Sequence, residues 1–428
     1  MDEDGGRFSR RNFVKLSTAA LAAGASMKAA GQQQSGANTD QGPPPTGEKV
    51  PRSADHHLPN ETEPGAENHV LEDQNPNSNF PPETDNGAVP PFKYSFALSH
   101  KRIETGGWTR QVTVRDLPIS KTIAGVEMRL TSGGVRELHW HLSAEWAIML
   151  YGNARITAVN QKAGGFVADV KEGDLWLFPP GVPHSIQGLG PDGCRFLLVF
   201  DDGNFNEFET FLLTDFMTHV PKEVLAKNFN VPPATFDRVP KKELFMFQTE
   251  LPEPLAQEKA DVAAGTMDLG DRFDFHPSQM QPTKVTAGGE VKIIDSRNFP
   301  VTPITAAIVR LKPGGLRELH WHPNADEWQY YISGKARMGV FIAGTRARTM
   351  DFQEGDVGYI EQSVPHWIEN TGNTDVVFLE MFKSPVYEDI SLAEWLAHTP
   401  PRLVDEHLGV GKQVIDAIPK KEVIVRPL

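Results

Sequence analysis

The chain has 428 residues and a formal charge of −14, with 42 Lys and Arg against 56 Asp and Glu. That balance excludes a nucleic acid or an anionic membrane as partner for the whole chain, because counterion release needs a basic surface. The single cysteine, Cys194, excludes an internal disulfide, a cysteine zinc site and a CxxC redox pair. No apolar run reaches the ~18 residues of a membrane span, and the length allows two or three domains at ~150 residues each.

Residues 9–15 read SRRNFVK, followed by a weakly apolar, Ala-rich run over 16–27 and then Lys28. Residues 1–30 thus resemble a twin-arginine export signal. That route carries folded proteins and suits one that loads its metal before export. A periplasmic or secreted protein, with no membrane anchor in its mature form, is expected. Residues 31–90 are rich in Gln, Pro, Asn and Gly, with GPPP at 42–45 and FPP at 80–82. They cannot bury enough surface to offset ordering entropy, so a disordered or extended, wrapping arm is expected. His56, His57 and His69 fall here and read as solvated linker histidines.

The rest is one module written twice, over 91–250 and 251–428. RLTSGGVRELHWHLSAEW at 129–146 matches RLKPGGLRELHWHPNADEW at 310–328. Short β-rich segments at 122–130, 145–150, 174–178, 195–200, 304–311 and 326–332 alternate with turn residues, as in a barrel. A helix is expected over 221–229. The box Ser391-Leu-Ala-Glu394 opens another through Ala397. The architecture read from this is all-β: two small barrels with short helical appendages.

Each module carries one ligand constellation. The first is His139, His141 and Glu145, with His184 farther on; the second is His320, His322 and Glu327, with His366. On a strand, residues i and i+2 share a face, so each HxH pair aims two imidazoles inward. The Glu follows from the next strand, and the last His is expected from across the barrel. Three imidazoles and one carboxylate leave open positions on an octahedral ion such as Mn(II), Fe(II), Ni or Zn.

These motifs resemble the cupin domains of bicupin oxalate decarboxylases. The shared features cover about residues 88–428: RELHWH twice, FPPGVPHSIQ, FLLVFDDGNF, EWQYYISGKARM and GDVGYI. The resemblance implies two double-stranded β-helix (jelly-roll) barrels with Mn(II) in each. It implies O₂ as a required co-catalyst, oxalate as substrate, formate and CO₂ as products, and a homo-oligomer, trimer or hexamer. It assigns Arg136 and Arg317 to the substrate side, although strand alternation puts each off the HxH face unless the strand bends. Leu198 in the first copy aligns with Glu380 in the second. Glu380 is expected to point into the second barrel, the alternative being an ion pair with Arg317 at an interface. In the family a lid covers the first site, and its second residue is a Glu proton donor. Glu207 occupies that place; the alternative is that it opens a helix running to Thr218. Phe208 and Glu209 depart from the usual Ser-Glu-Asn-Ser-Thr lid. An oxalate oxidase or a non-catalytic binding or storage bicupin are the competing readings. Trp140 and Trp321 point away from the metal and are expected at subunit or inter-barrel contacts. Cys194 reads as a buried small hydrophobe.

Overall fold

A computed structural model describes residues 68–265 and 272–427. The export-type segment, His56, His57 and the first part of the arm lie outside the described residues. Antiparallel strands form three sheets of seven, twelve and six strands. The expected strands Ala124–Leu130 and Thr305–Leu311 are present, and Cys194–Phe200 carries Phe, Leu and Val buried on both faces. Strands covered on both sides read as near-continuous apolar runs, which is why FLLVF at 196–200 shows no polar alternation.

The strand expected over 145–150 is longer, Glu145–Val159. Its first half pairs with Cys194–Phe200 and Leu175–Phe178, its second with Gly165–Lys171 and His184–Gly188. Gly152 makes the corner between the two walls. Its φ is +77°, and a Cβ there would sit 2.0 Å from the Gly193 carbonyl oxygen. A Gly in such a position bends a strand where its sequence looks like a strand end. The second module breaks at the same place into Glu327–Ser333 and Lys335–Ile342.

Three apolar clusters hold the molecule together. Two fill the barrels; the third lies between them. Side-chain alternation makes this division. Phe196, Leu198 and Phe200 face into the first barrel, while Leu197 and Val199 face the second module's Trp328, Tyr330, Leu379 and Met381. Gly125 lies against Trp328, whose ring carbon would be 2.5 Å from a Cβ at 125. Glu127, fully buried in this layer, accepts from Tyr330 at 2.6 Å and from Arg110 and Arg195.

The modules exchange short straps. Lys93–Ser95, ahead of the first module's sheets, pairs with Asp356–Ile360 of the second. Asp274–Phe275, ahead of the second module's sheets, pairs with Leu175–Phe178 of the first. The sheets therefore do not follow the sequence boundaries 91–250 and 251–428. Residues 68–90 wrap the second module: two short helices, His69–Gln74 and Pro76–Asn79, are followed by hydrogen bonds from Thr349 to Asp85, and Asn77 binds Asp351. Cys194 is buried at the start of its strand, and burial pushes its thiol up to about 12.

Candidate metal centres

In the first module Gly134–Trp140 carries His139 inward, and His141 follows directly. Glu145 opens the next strand and His184 opens His184–Gly188. The last histidine does not come from across the barrel. Its strand is the immediate neighbour, with His139 opposite His184 and ring centroids 4.2 Å apart. The second module repeats this with His320 opposite His366 at 4.1 Å.

Each set of four ligand atoms lies within 4.8 Å, and all eight side chains are buried. Every imidazole has its Nδ1 on a backbone carbonyl. His139 bonds Glu137 at 2.6 Å, His141 Ser143 at 2.6 Å and His184 Val182 at 2.8 Å. His320 bonds Glu318 at 2.5 Å, His322 Glu388 at 2.7 Å and His366 Val364 at 2.9 Å. A carbonyl only accepts, so each Nδ1 holds the proton and each Nε2 lone pair faces the centre. The Nε2 atoms of His184, His320, His322 and His366, and Oε2 of Glu327, are buried without a hydrogen-bond partner. Unpartnered buried atoms of this kind are costly unless an ion takes their lone pairs. Burial and the adjacent Arg136 or Arg317 keep His139 and His320 well below the usual imidazole range, in the neutral form that ligates. Burial opposes ionisation of Glu145, but His184 and His141 outweigh it and hold the carboxylate ionised. The donor set fits one divalent ion per module.

Arg136 and Arg317 do reach the sites. Each HxH strand carries an irregularity between the arginine and the first histidine, where one extra residue opposes its neighbour. That bulge brings the arginine onto the ligand face. Arg136 is fully buried; its Nε donates to Glu207 at 2.8 Å and its Nη2 to Thr210 at 2.8 Å. Arg317, equally buried, donates from Nε to Glu380 at 3.0 Å. Its Nη2 reaches Tyr387 at 2.6 Å and Asp389 at 3.0 Å. Glu380 thus both points into the second barrel and pairs with Arg317 there. Glu207 does not open a long helix. It starts a single 3₁₀ turn, Glu207–Glu209, and the helix Leu213–Thr218 begins separately.

The two carboxyls reach equivalent arginine nitrogens by different routes. Glu380 stands within strand Val376–Phe382, whereas Glu207 arrives from the loop after Cys194–Phe200. Burial pushes both up against the pull of their arginines. Phe205 of the same loop packs on Phe200 and edge-on to His141, so loop and ligands share one apolar wall.

Sequence reading missed several supports. Glu137 accepts from the amides of Thr214, Leu244 and Phe245; Glu318 accepts from Val423 and Ile424. Both belong to the repeated RELHWH, and that repetition was the available signal. Tyr387 and Asp389 carried none. Trp140 stacks on Phe211 at 5.4 Å and Trp321 meets Trp395 edge-on at 5.9 Å. Among the described residues these rings stack or meet edge-on with rings of each module's own closing segments.

The sequence profile of the cupin family matches residues 94–236 and 276–416. Oxalate decarboxylase OxdC of Bacillus subtilis (strain 168) is 50% identical over 351 residues, 82% of this chain and 90% of that protein. A probable oxalate decarboxylase of Arthroderma benhamiae is 42% identical over 363 residues, 84% of this chain and 89% of its own length. The solved structure of the Bacillus subtilis enzyme at pH 4.6 superposes with a TM-score of 0.82 at 48% identity, covering 86% of this chain and 95% of that one. Another, described for its Mn(II) centres, gives 0.81 at 47% identity over 86% and 96%. With two complete three-histidine, one-glutamate manganese sites on this scaffold, the chain belongs to the bicupin oxalate decarboxylases of the cupin family.

Proposed function

We propose that the protein splits oxalate into formate and carbon dioxide at its first metal site, with Glu207 as the proton donor and O₂ as a co-catalyst that is required and not consumed. The observation that carries this reading is a buried carboxyl, brought by a loop, on Arg136 beside the first ligand set. Hydrogen oxalate becomes formate and CO₂: one C–C bond breaks, one C–H bond forms and no net electrons move. Manganese, when bound, supplies a Lewis-acid anchor and a one-electron couple. Arg136 binds and orients a carboxylate of the substrate through its planar donors. Burial keeps the Glu207 carboxyl protonated above its ordinary range, so its proton is available to the carbon that loses CO₂. The rate should be highest in mildly acid medium, where this group holds its proton.

Glu380 and Arg317 form the corresponding pair at the second site. There Tyr387 and the Asp389 carboxylate hold the Nη2 that Thr210 alone holds on Arg136, leaving the guanidinium less free for a substrate anion. The second reading, an oxalate oxidase, is favoured only by the altered lid at Phe208 and Glu209. The test is manganese-loaded protein with oxalate under air at mildly acid pH, with formate and hydrogen peroxide scored together. Formate in large excess supports the decarboxylase; peroxide without formate turns the assignment to the oxidase.

SRRNFVK supports twin-arginine export to the periplasm or medium. A trimer or hexamer is supported by large apolar side chains exposed beside both closing helices, among them Leu142, Phe216 and Trp395. Sedimentation of the mature protein tests the second, and the fate of an Arg10→Lys, Arg11→Lys pair in export tests the first.

A further inference from the structure

Beside the first site, but not the second, an aromatic ring is held between two arginines. The guanidinium carbon of buried Arg136 lies 4.3 Å from the Phe245 ring centroid, and that of Arg102 lies 3.6 Å from it. Arg102 is fixed from outside by Glu104 at 2.7 Å and Glu243 at 2.8 Å. Phe208, on the lid, completes the group, 6.2 Å from Phe245 and 5.7 Å from Arg102. Phe245 is held at φ +55°, a conformation unusual for an aromatic residue. Its N–H donates to Glu137, and its carbonyl accepts from the Glu137 amide and from Arg136. In the second module Ile424 has the same backbone pattern on Glu318 and Arg317, with φ +60°, but no aromatic ring.

Two adjacent lid residues therefore grip the same group at two points. Glu207 turns inward to Arg136, and Phe208 turns outward to Arg102 and Phe245. We propose that Phe208, Arg102 and Phe245 form an external latch that holds the lid shut and so positions Glu207 on Arg136. They are positioning residues, because none of them faces the ligands. The latch answers a need of the site. His139, His184, Arg136 and Glu207 are all at most 3% exposed, so oxalate enters only when the lid lifts. An aromatic–arginine contact at the surface, worth about 0.5–1 kcal/mol, closes the lid while still allowing it to open.

The inference rests on Glu207 being the acid, and the experiment separates the two. Amide hydrogen exchange is followed at Glu207 in the full-length, manganese-loaded protein without oxalate. This amide donates to Gln111, outside the lid, at 3.0 Å, and so reports whether the lid is seated. In Phe208→Ala and in Arg102→Leu the exchange should quicken about two- to fivefold, the population shift matching loss of one such contact. Phe208→Trp should restore the parent rate. The formate-to-peroxide ratio should fall in the same two variants by a similar factor, with KM for oxalate little changed. Parent-like exchange in both variants overturns the latch. Faster exchange with an unchanged product ratio overturns its role in positioning the acid. Glu207→Gln that still makes formate at the parent rate would instead remove the acid assignment, with the exchange result standing on its own.

Discussion

Glu207→Gln is the sharpest perturbation of the first site. The glutamine retains a carbonyl that accepts from Arg136 Nε, where the parent carboxyl does so at 2.8 Å. The guanidinium therefore keeps its place, and substrate binding is preserved. What is lost is a transferable proton. A positioned general acid contributes about 10²- to 10⁴-fold to rate, so formate production should fall by at least about a hundredfold with KM nearly unchanged. Glu380→Gln should stay within about threefold of the parent if turnover belongs to the first site. Manganese-loaded protein, oxalate and air, with formate and peroxide read in one tube, decides it. Formate output within about threefold of the parent in Glu207→Gln would refute the assignment. Stability gives an independent check. Burial holds this carboxyl above its ordinary value against the pull of Arg136. The unfolded chain thus releases the proton at a lower pH than the folded chain. Between those two values the parent loses about 1.4 kcal/mol of stability per pH unit, whereas the glutamine variant loses none. In metal-free protein the variant should therefore gain on the parent as pH rises above the usual glutamate range, and the two should converge below it. A gap that widens toward acid instead would mean that the carboxyl is not raised.

His184→Ala and His366→Ala should each leave one manganese per chain in place of two, measured by elemental analysis after dialysis, because the two ligand sets share no residue. Arg136→Leu leaves the buried Glu207 carboxyl without its hydrogen-bond donor and should cost about 1–3 kcal/mol in denaturant unfolding while abolishing oxalate turnover. Gly125→Ala drives a Cβ to 2.5 Å from the Trp328 ring and should cost about 1–3 kcal/mol, read as a lower thermal midpoint with metal content retained.

The metal sites were readable because duplication printed the same four ligands twice, and HxH phasing on a strand leaves two imidazoles one direction to point. The helix opening at Ser391 was equally local: its hydroxyl accepts from Glu394 at 3.0 Å, as the box requires. What escaped depended on a single irregular residue or on partners far along the chain. Alternation placed Arg136 on the wrong face, because a bulge has no composition of its own. His184 was assigned across the barrel, since spacing shows that a ligand is distant but not which strand lies next to it. The straps Lys93–Ser95 and Asp274–Phe275 are too short for periodicity and are defined only by what they pair with.

Those reciprocal straps bear on the history of the molecule. A duplicated half-chain ordinarily stays separable, so one copy can be discarded or recombined. Here a fragment cut between the halves would carry an unmatched ribbon from its twin's sheet and lack the one that caps its own. Phe96, next to the first strap, is wholly buried in the layer between the barrels, so that fragment would also uncover an aromatic surface. Exchange of this kind binds the two halves into a single heritable unit: the chemistry of either site can drift, as the strand-borne Glu380 and loop-borne Glu207 have, but neither half of the chain can be lost without unmaking the other.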